Sequence, residues 1–171
     1  MNEYRGSLMD CISWLSKQKD GEFEIKPYSK RSLNQNRFYH MIKGIIAKAL
    51  RVPPPYVHNL LLRRMEIFDT QPDGKVILEL FTDDDKTERW IEYHPELHLK
   101  PTMYRIKNDQ GNFRFYQKLK GSSEYTPDEM SMLIDLALDE MESMGLMLPQ
   151  DEATLKAYEE HKKHSTQQHN V

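Results

Sequence analysis

Residues 30–37 read KRSLNQNR, in which three basic side chains bracket three amide side chains. Lys30 and Arg31 stand just before a predicted helix, whose first backbone N–H groups are free to bind anions. Arg37 follows about one and a half turns into that helix. Guanidinium and amide groups are the side chains with which proteins contact phosphates, sugars and exposed bases. These residue types favour a nucleic-acid contact, although a solvated helix start whose amides only cap the helix has the same composition.

A predicted β-hairpin carries a second group of cations. Side chains alternate between the two faces of a strand, so Arg105 and Lys107 share a face with Met103. On the returning strand, one face carries a cation, an aromatic ring and a cation: Arg114, Tyr116 and Lys118. This pattern suits single-stranded nucleic acid, because a base stacked on an aromatic ring is worth about 1–3 kcal/mol. The alternative is a sheet with one core face and one solvated basic face.

Acidic and histidine side chains form a candidate metal site. The three acids of residues 83–85 suit a hard cation, although consecutive acids on a strand point to opposite faces and in a turn are usually solvated. His94 and His98 have the spacing of a zinc pair on a helix, which Pro95 between them disfavours. Cys11 lies on an apolar helix stripe and is expected to be a buried structural thiol. The chain has no glycine-rich phosphate loop and no nucleophile elbow, so we expect no cofactor and no metal.

Charge is segregated along the chain, although the net charge is only −3. Residues 22–64 hold nine Lys or Arg against two Glu, and residues 100–120 hold six against one Asp. Residues 124–160 hold eleven acids against one Lys. Such a chain can present one basic face to a polyanion. The alternative is that acidic and basic segments neutralise each other in the fold.

The bulk properties indicate one cytosolic domain. A length of 171 residues suits a single domain with a small appendage. One cysteine excludes an internal disulfide, and the sequence has neither a membrane-length apolar run nor a secretion signal. The apolar fraction of 38% is low, which suggests that a partner subunit completes the core.

Apolar residues at helical spacing predict five helices. The predicted helices cover residues 7–18, about 32–50, 56–65, 126–144 and, as a short weak helix, 150–160. Ser32 and Gln35 have the form of a capping box. The segment 126–129, TPDE, is the clearest helix start, and Gly145 is a natural stop. The tail from His161 onward is predicted to be disordered.

Alternating segments predict several short strands. They lie at residues 21–28, 75–81, 89–93, 101–108 and 113–119, with a tight turn at 108–111. Strands and helices are partly segregated along the chain. The predicted fold is therefore α+β, with a small antiparallel sheet and its hairpin packed against several helices.

The segment 23–40, FEIKPYSKRSLNQNRFYH, resembles the NinB (Orf) family of bacteriophage recombination proteins, which joins a strand to the pattern RSLxQNR. The resemblance extends over residues 7–148, only loosely between 51 and 120, and includes the C-terminal block from Gly121 to Leu146. The chain departs from the family at Tyr39, where an aromatic Trp is common, and near Glu124, where basic residues are expected.

This resemblance implies a mixed α/β, intertwined homodimer that binds DNA, single strands above all, without catalysis. It would help to load a strand-exchange protein onto DNA coated by single-strand-binding protein, in the cytoplasm of a phage-infected host. Residues 1–148 would form the DNA-binding domain, and residues 149–171 a short helix and disordered tail. Motif and hairpin together predict these DNA contacts: Lys30, Arg31, Asn34, Gln35, Arg37, Arg105, Lys107, Arg114, Tyr116 and Lys118.

Two other functions fit the sequence. One is a metal-dependent phage endonuclease or Holliday-junction resolvase, in which residues 83–85 and His94 or His98 bind the metal. The other is an adaptor whose acidic C-terminal helix docks a basic protein partner, which is compatible with DNA binding.

Overall fold

A computed structural model describes residues 8–18 and 33–168 of the chain. Backbone contacts divide the chain into two compact units, residues 1–30 and residues 31–171.

The first unit contains helix α1, Leu8–Leu15, which confirms the predicted N-terminal helix. Cys11 is half-buried on α1, whereas Ile12 is exposed. The strand predicted at residues 21–28 lies outside the described residues.

In the second unit, helix α2 spans Leu33–Leu50 and helix α3 spans Pro54–Met65, which confirms both predictions. Pro53 caps α3 with an extended backbone, and a Pro occupies the first helical position, where its missing N–H costs no hydrogen bond. Helix α3 ends at Glu66, which takes a left-handed φ of 54°. Three residues separate α2 from α3, so the two helices pack as neighbours.

Helix α5, Pro127–Ser143, begins at the capping box predicted from the sequence. The Thr126 hydroxyl accepts a hydrogen bond from the Glu129 backbone N–H at 3.2 Å, and a Glu129 carboxylate oxygen accepts one from the Thr126 N–H at 2.7 Å. Gly145 follows the helix with a φ of 67°. Both ends of α5 are thus where local sequence predicts them.

Helices α2, α3 and α5 enclose the main core of the second unit. Each contributes an apolar stripe of fully buried side chains: Ile42 and Ile46; Val57, Leu61 and Leu62; Met130, Leu133, Ile134 and Ala137. Burying one such side chain stabilises the fold by about 1.5–3 kcal/mol.

The three strands form one antiparallel sheet in the order β1-β3-β2. Strand β1 spans Leu78–Thr82, β2 spans Leu99–Asn108 and β3 spans Gly111–Lys118. Strands β2 and β3 form the predicted hairpin. Gly111 closes its turn with a φ of 133°, a conformation that side chains rarely adopt.

The strand predicted at residues 89–93 is wrong, because this segment belongs to helix α4, Asp85–Tyr93. Asp84 caps the helix by accepting a hydrogen bond from the Thr87 backbone N–H at 2.9 Å. The three consecutive acids thus mark a helix start. Ile91 on α4 is fully buried and packs with Leu99 and Tyr116 in a second, smaller core cluster.

The predicted disorder of the tail is also wrong over most of its length, because helix α6 runs from Glu152 to Gln168. His161 is 2% exposed, and its Nε2 lies 2.7 Å from a carboxylate oxygen of Asp135 on α5. Its ring also packs on Phe38 of α2, with 6.1 Å between the ring centroids. A buried histidine thus joins Ala157 and Tyr158 in packing this helix against the core.

The second unit confirms the predicted α+β class and the small antiparallel sheet. The predicted intertwined homodimer stays a prediction. Over the described ranges, the length and hydropathy of each helix fall short of what a membrane crossing requires.

Candidate nucleic-acid interface

Of the basic segment 30–37, the structure describes residues 33–37, which form the start of α2. Lys30 and Arg31 lie outside the described residues. Arg37 is exposed on α2, and Asn34 is exposed with its amide donating to a Glu160 carboxylate oxygen at 3.0 Å. One cation of the motif is therefore available to a ligand.

Gln35 lies on the opposite side of α2 and is 7% exposed. Its amide nitrogen donates to the Ser131 hydroxyl on α5 at 3.2 Å. Gln35 thus ties α2 to α5 instead of presenting its amide to solvent, where a nucleotide would meet it. Its placement counts against the predicted direct DNA contact.

A groove of about 400 Å³ runs between the first turns of α2 and helix α6. Asn34 and Arg37 line it on α2, and Lys156 and Glu160 line it on α6. The mixed charge of this groove matches the alternative in which acidic and basic segments neutralise each other. Similar pairs join Arg64 to Glu140 and, at 2.7 Å, Lys120 to Glu129.

The hairpin face that carries Tyr116 is predicted to be exposed, but in the structure it faces the core. Tyr116, predicted as a stacking platform, is 1% exposed and packs against Ile91 of α4 and Leu99 of β2. The ring offers no face to a base in this conformation. The segment predicted as a strand at residues 89–93 is part of helix α4, and this helix covers the Tyr116 side of the sheet.

Most hairpin cations are paired with acids. Arg105 contacts Asp83 at 2.6 Å and Lys118 contacts Asp69 at 2.9 Å. Arg114 contacts Glu88 at 3.5 Å. Exposed ion pairs of this kind are worth only about 0–1 kcal/mol, so a phosphate can replace the acid at little cost.

Lys107, near the hairpin tip, is exposed, and within the described ranges no carboxylate lies within 4 Å of it. This cation is therefore available to a ligand in the conformation described.

The other face of the sheet carries exposed apolar side chains. Residues directly opposite on paired strands share a face, which places Leu80 beside Phe115 and Ile106 beside Phe113. Leu80 and Ile106 are exposed, and the two Phe rings of the central strand are half-buried. Exposed apolar side chains grouped on one face are typical of a binding surface.

A bulge in β2 extends this face with a further aromatic ring. Pro101 pairs with Tyr116 and Arg105 pairs with Arg114, so three residues of β2 stand against Phe115 alone. The bulge displays two large side chains to solvent: Met103, which is 89% exposed, and Tyr104, which is 76% exposed. By the two-residue repeat of a strand, Tyr104 lies on the same side as Ile106.

Three hydrogen bonds fix this bulge. The Thr102 hydroxyl donates to the Phe115 carbonyl at 2.7 Å and accepts from the Tyr104 backbone N–H at 3.2 Å. The Arg114 guanidinium donates to the Thr102 carbonyl at 2.7 Å. We call Tyr104, Ile106, Phe113, Phe115 and Leu80 the sheet platform.

The metal ligands predicted for the nuclease alternative have other roles. Both carboxylate oxygens of Asp84 accept hydrogen bonds from Thr87. Hydrogen bonding, by the Thr82 side chain first and then by Thr87, lowers the pKa of Asp84 to about 2. His94 Nδ1 accepts from the backbone N–H of Leu97 at 3.1 Å. Within the described ranges, no three His, Cys, Asp or Glu side chains are placed to hold a metal ion.

A histidine cluster that the sequence did not indicate lies where α2, α3 and the segment before β2 meet. It consists of Tyr39, His58, Asn59 and His98. The Tyr39 hydroxyl is 2.6 Å from His58 Nδ1, and the two histidine rings meet edge to face at 5.1 Å. His98 Nδ1 is 2.8 Å from the Asn59 side-chain oxygen. No short motif connects these residues, since Tyr39 and His98 stand far apart in sequence.

Burial governs the ionisation of the histidine cluster. It lowers the pKa of His58 to about 3, assisted by the positive charges of Lys43, His98 and His40. It also lowers the pKa of His98 and raises that of Tyr39. Both histidines are therefore neutral at pH 7 unless an anion binds.

Comparisons with protein-family models, curated proteins and solved structures give no match to this chain. The likeness of residues 23–40 to the NinB family therefore stays a prediction. The structural features that bear on function are the sheet platform and the cations on its edge strand.

Proposed function

We propose that this chain binds single-stranded DNA on the sheet platform and helps to load a strand-exchange protein onto DNA coated by single-strand-binding protein. The supporting observation is the bulge that exposes Tyr104 on the strand paired with the central strand, which carries Phe113 and Phe115. The recombination role rests on the resemblance of residues 23–40 to the NinB family.

Stacking explains the preference for a single strand. An exposed ring stacks on any unpaired base, and each stacked base is worth about 1–3 kcal/mol. In a duplex the bases already stack on one another, so the platform would have to unpair them first. Binding through Tyr104 therefore favours single-stranded over duplex DNA with little dependence on sequence.

Arg105 and Lys107 lie on the same edge strand as Tyr104 and Ile106, with their side chains toward the other face of the sheet. They would contact the phosphates of a DNA strand that crosses this edge. Lys107 is exposed on β2, which is an edge strand of the sheet. Arg105 can exchange its exposed ion pair with Asp83 for a phosphate. Each phosphate neutralised on a single strand contributes a slope of about −0.7 to the dependence of log affinity on log salt.

A titration of a fluorescent oligothymidine tests the platform. We expect Tyr104→Ala to weaken binding about fivefold or more, and Tyr104→Phe, which keeps the ring, to bind as the wild type. Between about 50 and 200 mM salt, Lys107→Gln should reduce the slope by about 0.7, whereas Lys75→Gln, at a distant exposed turn, should leave it unchanged. Equal affinity of Tyr104→Ala and wild type would refute stacking on this ring.

The homodimer is part of this proposal, because the apolar content is low and two copies double the DNA-contacting surface. Sedimentation at micromolar concentrations should give the mass of two chains. A wild-type dimer that Leu80→Asp converts to a monomer would show that a second copy covers the sheet platform, contrary to its assignment to DNA.

The recombination role has its own assay. Adding the protein to single strands coated with single-strand-binding protein should shorten the lag before a strand-exchange protein assembles, and Tyr104→Ala should restore the lag. Labelled single strand, duplex and four-way junction should stay intact with Mg²⁺ or Mn²⁺. Clean cleavage would favour the nuclease alternative.

A further inference from the structure

Positive charge gathers around the histidine cluster. Lys43 lies one turn after Tyr39 on α2, with its ammonium 5.6 Å from the centre of the Tyr39 ring. His40 lies beside Tyr39, with 5.8 Å between the ring centroids. The charged groups that depress the pKa of His58 are all cations, namely Lys43, His98 and His40.

Acidic groups do not offset this charge within the described ranges. Lys43 has no carboxylate within 4 Å there, and burial lowers the pKa of its ammonium. The acid that acts on the neighbouring Tyr125, Glu129, already pairs with Lys120 at 2.7 Å and caps α5. At pH 7 both histidines are neutral, so the charge of this half-buried site is the ammonium of Lys43, which no carboxylate of the described residues offsets.

We propose that the histidine cluster binds a phosphate group, and specifically the terminal phosphate monoester of a DNA strand. Lys43 would provide the charge, and His58 would donate through Nε2. His98 would donate through Nε2 once the bound phosphate induces its protonation, and the Ser122 hydroxyl would complete the site. Such charge-assisted hydrogen bonds are the strong class in proteins. The identification of DNA as the source of the phosphate rests on the proposed function, whereas the phosphate site itself does not.

Asn59 orients His98 for this role. The Asn59 amide nitrogen lies 2.9–3.3 Å from three backbone carbonyl oxygens, those of Ile91, Glu92 and His94, which share its two N–H donors. Its side-chain oxygen must therefore accept, so we assign the proton to His98 Nδ1. This leaves His98 Nε2 directed away from Asn59 and able to bind a ligand.

Gly121 leaves the His98 ring accessible. A Cβ at this position would lie 3.4 Å from His98 Cδ2 and 3.7 Å from Nε2. Ser122 follows, with its hydroxyl 3.4 Å from His58 Nε2. Lys43, His58, His98 and Ser122 each keep partial solvent exposure, so a phosphate can reach the site.

The depth of the site favours a strand end. The polar atoms of the site belong to half-buried side chains, whereas an internal phosphodiester is held on both sides by its neighbouring nucleotides. A terminal phosphate carries more charge and can enter alone. Binding would raise the affinity of His98 and His58 for protons, since an anion favours their charged forms.

Inorganic phosphate tests the site without DNA. About 10 mM phosphate should raise the Tm of the full chain by about 2 °C or more over chloride at equal ionic strength. Lys43→Gln should abolish that gain, and Lys48→Gln, an exposed residue on the same helix, should keep it. No gain in the wild type, or the same gain in Lys43→Gln, would overturn the phosphate site.

Paired oligonucleotides test the source. A single strand with a 5′- or 3′-phosphate should bind about tenfold more tightly than the same strand with hydroxyl ends, and His98→Gln should bring this ratio to about one. Equal affinities would overturn the strand-end assignment. If neither strand binds, the proposed DNA-binding function and this assignment both fail, and the inorganic-phosphate result alone decides the site.

Discussion

Tyr39 and His58 form a buried hydrogen bond of 2.6 Å between the Tyr39 hydroxyl and His58 Nδ1, which links α2 to α3. The Tyr39 side chain is almost fully buried, and burial raises its pKa, so the hydroxyl stays protonated and we assign it as the donor. His58 Nε2 is then left for Ser122. One polar contact therefore fixes the orientation of a histidine at the centre of the proposed phosphate site.

Tyr39→Phe tests the contribution of this bond to stability. The substitution keeps the ring but leaves His58 Nδ1 without its partner, which should lower the free energy of unfolding by about 1–3 kcal/mol. Urea unfolding at pH 8 measures the change while both histidines are neutral. A change within about 0.3 kcal/mol of zero would show that the bond contributes nothing net.

Tyr125→Phe should not lower the free energy of unfolding, in contrast to Tyr39→Phe. The Tyr125 hydroxyl is buried, and among the described residues it has no hydrogen-bond partner. Removing a buried, unpartnered hydroxyl should leave stability unchanged or raise it by up to about 1 kcal/mol. The Lys120 ammonium, 5.7 Å from the centre of the ring, can keep its contact with Phe. Side by side with Tyr39→Phe, the same unfolding assay compares one chemical change in two environments. A loss of more than about 1 kcal/mol would reveal a partner for Tyr125.

The capping box of α5 and the hairpin of β2 and β3 could be predicted from sequence because each depends on residues close together in the chain. Thr126 and Glu129 satisfy one another's backbone groups without help from distant residues. The face that β3 buries could not be predicted in this way. Alternation separates Tyr116 from Phe115, but only the position of α4 decides which of them meets the core.

Helix α4 could not be predicted because its apolar residues are few and bulky. Asp84, a candidate ligand only under the nuclease alternative, is the N-cap of this helix. The end of helix α6 could not be predicted because His161 is polar by type, and its burial depends on residues distant in sequence, among them Asp135 and Phe38. The histidine cluster could not be predicted either, because it also depends on contacts between residues distant in sequence. Tyr39, His58 and His98 are joined by packing of separate elements, which no local spacing indicates.

The free energy of unfolding should fall as the pH drops below about 6.5, because the pKa of His58 is lower in the folded chain than in the unfolded chain. Its pKa is about 3 in the folded chain and 6.5 for an unperturbed histidine, as in the unfolded chain, so the unfolded chain binds its proton first. The unfolded state therefore gains protons between about pH 6.5 and 3, and the free energy of unfolding declines over that range. Down to pH 5 this one group should lower it by up to about 2 kcal/mol. Urea midpoints at pH 7 and 5 measure the loss.

His58→Asn is the control for this pH effect. The side-chain oxygen of Asn can accept the Tyr39 hydroxyl as His58 Nδ1 does, but it does not titrate. The variant should lose less stability than the wild type between pH 7 and 5. The remaining decline would come in part from His98, whose pKa is also lowered by burial. Parallel losses in variant and wild type would assign the pH dependence to other groups.

Thr102→Val tests whether the bulge positions Tyr104 for binding. Val has nearly the shape of Thr but cannot donate to the Phe115 carbonyl or accept from the Tyr104 N–H. We expect a loss of about 1 kcal/mol in stability and about three- to tenfold weaker binding of oligothymidine, because the Tyr104 ring is no longer held in place. Thr70→Val, an exposed threonine bridged to Val76, should change neither quantity. If Thr102→Val is destabilised but binds as the wild type, the bulge serves the fold alone, and Tyr104 needs no fixed position to stack on a base.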